Sequence, residues 1–259
     1  MLTTTDSAVM ARINARAVLG AVPTLVNLAP AARDILAVLD APVVLTFRIR
    51  GVPSVHYEFG PDAVRALQYR PARRRGPVLG FVSTTHFNDV MAGGAQPIPL
   101  ATLSGVRFLK QVFTPLTALL ERYLRPSAED LSDPEFARVS TIVALTVAVG
   151  AAVEVGNGDP SGAVSAAHMP DGTLDIQAGD DVTLRLRVRG HVLALEPDTA
   201  GSARATLRFA DLQVAGDLLA GRGSALGFLC DGRIAMSGFV PLIDNTNRIL
   251  DRVGNYLGA

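Results

Sequence analysis

The 259-residue sequence offers few side chains that could perform covalent or acid–base chemistry. Cys230 is the only cysteine and Lys110 the only lysine. A nucleophilic cysteine needs a nearby base, and Schiff-base or phosphate-loop chemistry needs a suitably placed lysine. No HExxH, GxSxG, SxxK or GxxxxGK[ST] motif is present. We therefore predict no catalytic residue and a buried, inert Cys230.

The histidines and aspartates do not have the spacing of metal ligands. A structural zinc site needs four Cys or His ligands, and a calcium loop needs carboxylates at positions 1, 3, 5 and 12. The residues considered are His56, His86, His168, His191, Asp171, Asp175, Asp180 and Asp181. We predict no metal site and no cofactor. The histidines are expected at the surface or at helix ends.

One cluster of positive charge is present, at Arg70, Arg73, Arg74 and Arg75. Basic side chains near a bilayer attract anionic headgroups, so this cluster could make transient contact with a membrane surface. A solvated loop is the alternative. Over the whole chain 24 basic residues balance 24 acidic ones, which argues against a nucleic-acid partner.

The N-terminus does not have the pattern of a secretory signal, because Asp6, Arg12 and Arg16 interrupt its apolar residues. The longest uncharged stretch with helical character is residues 139–153, which at 15 residues is too short to cross a bilayer. We expect a core helix there and a cytoplasmic protein. The lone cysteine fits a reducing compartment.

An internal repeat indicates how the chain is organised. Residues 43–51 (VVLTFRIRG) and 182–190 (VTLRLRVRG) are identical at five of nine positions, at a constant spacing of 139. Both alternate apolar and polar residues, which is typical of a strand with one buried face. We predict that they are corresponding strands. The arginines on the polar faces are expected to pair with carboxylates across strands; they are Arg48, Arg50, Arg185, Arg187 and Arg189.

Later landmarks follow in the same order in both halves. A strand ending at Phe81 or Phe209 precedes a short capped helix that ends at Gly93 or Gly221. Each half then closes with a helix, which begins at FTPL (113–116) or FVPL (239–242). The second half also contains an apolar helix at about 135–154 and predicted strands at 163–170 and 173–179.

Two copies of one α+β unit explain this order. We predict domains at 1–126 and 135–259, joined by a linker at 127–134. Each is expected to hold a small, mainly antiparallel sheet covered by helices on one face.

The second half resembles the C-terminal half of the sterol carrier protein type 2 domain over about 80 residues. The matching elements are a strand at 205–209, a capped helix at 211–221, a strand at 232–238 and a closing helix at 241–257. The first half resembles a diverged copy, in which a weak strand at 101–109 places Gly105 where the second half has Gly232.

The resemblance implies an apolar cavity between sheet and helices that holds a sterol, fatty acyl or isoprenoid-like lipid. We expect the larger cavity in the C-terminal copy. The residues expected to line it are Leu184, Leu186, Val188, Leu218, Leu219, Phe228, Met236, Phe239, Leu242, Ile249 and Leu250.

Two alternative functions remain open. The protein could be an enzyme or biosynthetic accessory protein that holds a hydrophobic intermediate in the cavity. It could also be a scaffold whose pockets are filled by its own side chains. The oligomeric state is not indicated by the sequence.

Overall fold

The computed structural model describes residues 5–72, 76–197 and 199–258. It confirms the predicted α+β class. The described chain forms two compact units, an N-terminal unit of residues 10–139 and a C-terminal unit of residues 5–9 with 140–258. The predicted linker at 127–134 contains a 3₁₀ turn at Asp130–Ser132 and leads directly into a long helix.

The α-helices are α1 (Ser7–Arg12), α2 (Val22–Leu28), α3 (Pro30–Leu36), α4 (Thr84–Met91), α5 (Leu103–Phe108), α6 (Thr114–Leu124), α7 (Pro134–Gly158), α8 (Pro160–Ala167), α9 (Leu212–Leu219), α10 (Ala225–Cys230) and α11 (Val240–Leu257). Further helical turns are Ile13–Val18 and Leu109–Phe113 (π) and Leu19–Ala21 (3₁₀). The strands are β1 (Val43–Ile49), β2 (Val55–Phe59), β3 (Val64–Leu67), β4 (Val78–Phe81), β5 (Ile98–Leu100), β6 (Gly172–Ala178), β7 (Val182–Arg189), β8 (Val192–Glu196), β9 (Ala205–Phe209) and β10 (Ile234–Gly238).

Each unit contains a five-stranded sheet, and the two sheets have the same strand order. That order is β3-β2-β1-β4-β5 in the N-terminal unit and β8-β7-β6-β9-β10 in the C-terminal unit. The central strand pairs in parallel with β4 or β9, and the remaining ladders are antiparallel. The sheets are therefore mixed, and the chain contains one strand arrangement twice.

The predicted correspondence of residues 43–51 with 182–190 is wrong. Both segments are strands, but β1 is the centre of its sheet, whereas β7 lies one position away from the centre. The counterpart of β1 is β6, at an offset of 129, since Ile49 pairs with Phe81 and Ala178 with Phe209. Alternating aliphatic and arginine residues suit any strand with one buried face, so this pattern cannot distinguish neighbouring strands.

The predicted short helices α4 and α9 are confirmed, with their caps. The Ser83 hydroxyl accepts from the amide of His86, and the Asp211 carboxylate accepts from the amide of Val214. After each helix the chain turns through a glycine with positive φ, at Gly93 (78°) and Gly221 (67°). Such a backbone conformation favours glycine and ends the helix.

Two segments predicted to be strands are helices. Residues 101–109 contain the whole of α5. Its N-cap is Thr102, whose hydroxyl accepts a hydrogen bond from the amide of Gly105. Residues 163–170 overlap α8, where Asp159 is the N-cap and Pro160 begins the helix. As predicted, α6 begins within FTPL (113–116) and α11 within FVPL (239–242). Helix α6 differs in that it follows α5 and the π turn Leu109–Phe113 without a break.

The core of the N-terminal unit is rich in aromatic side chains. The Phe47 ring lies 5.8 to 6.4 Å, between centroids, from the rings of Tyr57, Phe81, Phe87 and Phe113. Phe59 makes edge contacts with Phe108 and Phe113. These rings fill the space between the sheet and α5–α6.

The core of the C-terminal unit is aliphatic. Helix α11 packs on β6, β9 and β10. Its Leu242, Ile249 and Val253 are buried, as are Ile176 and Leu186 of the sheet.

Two helical stretches, Ser7–Leu28 and Pro134–Gly158, are long and apolar enough to span a membrane. Most of each is buried inside the fold, as in the core helices of folded domains. The predicted core helix at 139–153 lies within α7.

Candidate functional site

The C-terminal unit has an apolar edge formed by α10, β10 and the first turn of α11. Its side chains are exposed although they are large and apolar. They are Leu226, Leu229, Met236, Phe239 and Val240, and we call them the apolar edge.

The apolar edge continues into the core of the unit. Met236 pairs with Leu207 on the neighbouring strand β9, so both side chains lie on the same face of the sheet. Met236 is 42% exposed and Leu207 only 5%. Because β10 is the last strand of the sheet, the apolar face opens to the surface there. An apolar ligand could enter between this face and the helices without crossing polar surface.

Helix α10 is attached to the unit through one aromatic side chain. Phe228 is its buried residue. Its ring lies so close to Gly223 that a Cβ at that position would be 2.0 Å from the ring, and the guanidinium of Arg233 stacks 4.0 Å from the ring centroid. Leu226 and Leu229 point outward. Because α10 has only six residues and one buried side chain, we expect it to be weakly attached at the apolar edge.

Two arginines lie beside the apolar edge. Arg233 donates to the carboxylate of Asp231, and this hydrogen bond lowers the pKa of Asp231. Arg204 stacks over Phe239 at 4.2 Å from the ring centroid and donates to the neutral main-chain carbonyl of Asp171. The charge of Arg233 is thus paired with a carboxylate, whereas Arg204 is held by an aromatic ring and a neutral carbonyl.

The eleven residues predicted to line a cavity extend from the centre of this unit to its surface. Those that are buried are Leu186, Val188, Phe228, Leu242 and Ile249. Those that are partly exposed are Leu184, Leu218, Leu219 and Leu250. Met236 and Phe239 are exposed at the apolar edge. The sequence reasoning missed Leu226, Leu229 and Val240. The signal for the two leucines was an apolar run, ALGFLC, after the helix cap Ser224, and Val240 lies within FVPL.

A depression of about 260 Å³ lies elsewhere on the C-terminal unit, between α8 and α11. It is lined by Val164, Ser165, His168, Asp244, Asn245 and Arg248. None of these was predicted to line the lipid cavity. Five of its six lining residues are of polar types, and the ion pair between Arg248 and Asp244 spans one turn of α11.

The arginine cluster lies partly within the described chain. Arg70 donates to the Thr46 hydroxyl at 3.2 Å and to the Gly76 carbonyl at 3.0 Å, so it holds its loop against the sheet. Arg73, Arg74 and Arg75 lie outside the described residues. Headgroup contact by this cluster stays a prediction.

Each sheet carries a polar pair at the same position of its outer face, fully buried in the C-terminal unit and partly buried in the N-terminal unit. In the C-terminal unit Asp175 and Arg185 are cross-strand partners, with bonds of 2.7 and 2.8 Å, and Arg185 also donates to the carbonyls of Ala200 and Gly201. In the N-terminal unit the equivalent pair is Thr46 and His56, with the Thr46 Oγ1 3.0 Å from the His56 Nδ1.

The two pairs differ in charge. Burial and the nearby Arg70 lower the pKa of His56, so that the imidazole is neutral at physiological pH. Asp175 and Arg185 instead form a buried ion pair. Together with the ion pair between Arg187 and Glu196, it confirms the predicted cross-strand pairing for Arg185 and Arg187. For Arg48, Arg50 and Arg189 the pairing stays a prediction.

Asp159 links α8 to α11 and is almost fully buried. It accepts from Arg252 at 2.9 Å and from the Tyr256 hydroxyl at 2.7 Å, and it caps α8 through the amides of Ser161 and Gly162. Burial opposes its ionisation, but the hydrogen bonds from Arg252, Tyr256 and Gly162 outweigh burial and lower its pKa to about 2. The sequence reasoning missed this cluster because 93 residues separate Asp159 from Arg252.

Among the described residues no group of three or more His, Cys, Asp or Glu side chains could hold a metal ion. Three histidine rings contact main-chain carbonyls: His86 with Gln96, His168 with Val164 and His191 with Met169. Cys230 is exposed at the end of α10, so the prediction of a buried thiol is wrong. Apolar residues on both sides of it suggested burial, but the helix turns Phe228 inward and Cys230 outward.

No family model matches the sequence, and no curated protein matches it.

Proposed function

We propose that the protein binds and carries an apolar small molecule of the sterol, fatty acyl or isoprenoid class. The apolar edge of the C-terminal unit carries this proposal. The resemblance of residues 205–257 to the sterol carrier protein type 2 domain supports it, because the apolar edge falls within those residues.

The driving force is the transfer of alkyl surface out of water. Each Å² of apolar surface that ligand and protein bury together contributes about 25 cal/mol. Leu226 and Val240 are 69% and 63% exposed, so the unliganded edge leaves apolar area that a ligand would cover. An alkyl chain lying along β10 would then reach Leu207 and the core by displacing α10, whose main anchor is Phe228.

The test is displacement of a fluorescent fatty acid from the delipidated full-length protein, together with mass spectrometry of an organic extract. We expect saturable probe binding. Replacing Met236 with Gln should weaken it by about tenfold, since the substitution puts a polar amide on the apolar face. Val192→Ser is the matched control, because Val192 is an exposed apolar residue of the same unit but lies in β8, at the opposite edge of the sheet.

Absence of probe binding by the unmutated protein would overturn the proposal and favour the scaffold function. Equal losses from Met236→Gln and Val192→Ser would show that the probe does not bind at the apolar edge.

A further inference from the structure

The N-terminal unit exposes a different apolar surface, at the end of its sheet and along the following helix. Ile98 and Leu100 of β5 are exposed, and in α5 Val106 is exposed and Leu103 is 92% exposed. Together with Arg107 and Lys110 they form what we call the apolar–basic segment (residues 98–110). Four exposed aliphatic side chains within nine residues are more than the single exposed hydrophobic residues that are common on protein surfaces.

The exposed apolar side chains of this segment lie on two surfaces, the outer face of β5 and the outward side of α5. Ile98 and Leu100 pair with Gly80 and Val78, while Leu79 between them is buried, so both side chains lie on the sheet face opposite the core. In the helix, Leu103, Val106, Arg107 and Lys110 are spaced i, i+3, i+4 and i+7 and form one stripe.

The opposite side of α5 is buried. Its inward residues are Gly105 and Phe108. A Cβ at Gly105 would lie 3.1 Å from the Cβ of Ala101 and 3.5 Å from that of Pro77, so the helix packs closely against the sheet at its start. The orientation of the exposed stripe is therefore fixed by packing.

The charge of the segment is positive and uncompensated. No Asp or Glu occurs in the 31 residues between Asp89 and Glu121, although the whole chain has net charge zero. Arg107 donates to the neutral amide oxygen of Gln111. Within the described residues neither Arg107 nor Lys110 forms an ion pair with a carboxylate. An anionic surface complements this combination of charge and apolar side chains.

The size of the segment favours a lipid surface over a protein partner. A stable protein interface uses roughly 20 to 30 residues on each side, whereas ten residues of this segment are exposed. Leucine and valine can insert among headgroups one at a time, and the long stems of Arg and Lys allow their charges to remain at the headgroup level.

We propose that the apolar–basic segment docks the protein on an anionic phospholipid bilayer. Leu103 and Val106 enter the headgroup region, while Arg107 and Lys110 contact lipid phosphates. This docking does not involve the apolar edge of the C-terminal unit, so the failure of either proposal is distinguishable from the failure of the other.

The experiment is flotation of the delipidated full-length protein with vesicles of phosphatidylcholine alone or with one-quarter phosphatidylglycerol. We expect binding to the anionic vesicles that weakens as salt is raised. The double variant Arg107→Gln/Lys110→Gln should bind about 30-fold more weakly, at roughly fivefold for each charge. Leu103→Ser should bind the anionic vesicles about tenfold more weakly, at low and at high salt alike.

The control for charge is Arg189→Gln and the control for apolar area is Val38→Ser, both exposed and outside the segment. Neither should change vesicle binding. The proposal is overturned if the unmutated protein does not float with anionic vesicles, or if the segment variants bind as well as the controls. It is also overturned if light scattering shows that Leu103→Ser dissociates an oligomer while vesicle binding is retained, since the surface would then be a protein interface.

Discussion

The two units have one strand order but differ in where their apolar surface is left open. In the N-terminal unit, aromatic rings around Phe47 fill the core, and the exposed apolar residues lie on the outside of the sheet and of α5. In the C-terminal unit the core is aliphatic, and the exposed Met236 lies on the inner face, continuous with buried Leu207.

The difference arises at one position of the edge strand. Pro99 of β5 pairs with Leu79 of β4, and at the equivalent position Met236 of β10 pairs with Leu207 of β9. Proline in the short β5 removes a hydrogen-bond donor and protects the sheet edge from further pairing. Methionine in the longer β10 instead extends a flexible apolar side chain along the inner face. The same topology thus leaves an apolar side chain exposed at the inner face of β10, where β5 has a proline.

A second difference concerns the polar pair on the outer face of each sheet, and it leads to the largest predicted effect on stability. Replacing Arg185 with Ala should lower the free energy of unfolding by about 3–5 kcal/mol, because buried Asp175 would lose its counter-charge. Replacing the equivalent His56 with Ala should cost only about 1 kcal/mol, since a neutral hydrogen bond is lost. Urea-induced unfolding of both variants measures the contrast.

The double variant Asp175→Leu/Arg185→Leu is the control, and it should recover most of the loss because it leaves no unpaired charge. Equal costs for Arg185→Ala and His56→Ala would show that the two pairs are energetically the same despite their different charge.

Local features of the fold could be predicted from the sequence, whereas the position of each strand in its sheet could not. Caps at Ser83 and Asp211 act within one helical turn, so adjacent residues are enough to indicate them. The similar patterns of β1 and β7 carry no information on which strands lie beside them. Helix α8 was taken for a strand although Asp159 followed by Pro160 is typical of a helix start.

The candidate site was predictable only in part, for a similar reason. Alternation and helical spacing indicated which apolar residues face the sheet, such as Leu186 and Ile249, both now seen to be buried. Spacing could not show that β10 is the last strand of its sheet and leaves Met236 uncovered. Exposure at an edge is a property of the assembled sheet.

The contrast between a filled and an open core can be tested with matched leucines in α6 and α11. Leu120 is 2% exposed in the N-terminal unit, so Leu120→Ala should cost about 2–5 kcal/mol of unfolding free energy. Leu250 is only partly buried, so Leu250→Ala in the ligand-free protein should cost about 2 kcal/mol or less.

Ile249→Ala, at the fully buried neighbouring position, controls for any general sensitivity of α11 and should fall in the same range as Leu120→Ala. A cost for Leu250→Ala as large as that for Ile249→Ala, without fatty acid binding by the unmutated protein, would support a filled C-terminal unit. The cores of the two units would then be equally well filled by side chains.

The smallest predicted effect concerns the tyrosine contacts of each unit and depends on pH. Tyr57 donates to the neutral carbonyl of Ala15, whereas Tyr256 donates to the ionised Asp159. The folded-state pKa of Asp159 is about 2, below its ordinary value of 3.8, so folding favours the ionised form. Its contribution is complete above pH 3.8 and is lost as the pH falls through about 2. The loss amounts to about 2 kcal/mol, at 1.36 kcal/mol for each pKa unit.

Unfolding by urea between pH 2 and 7 measures this dependence. Asp159→Asn should be less stable than the unmutated protein at pH 7, and the difference should shrink toward pH 2, where the unmutated carboxylate also takes up a proton. Tyr57→Phe should lower stability by about 1 kcal/mol equally across this range, because neither the phenol nor the carbonyl titrates there. A constant difference between Asp159→Asn and the unmutated protein would mean that Asp159 acts only as a helix cap. In that case the contact between Tyr256 and ionised Asp159 would stabilise the protein no more than the neutral contact between Tyr57 and Ala15 does.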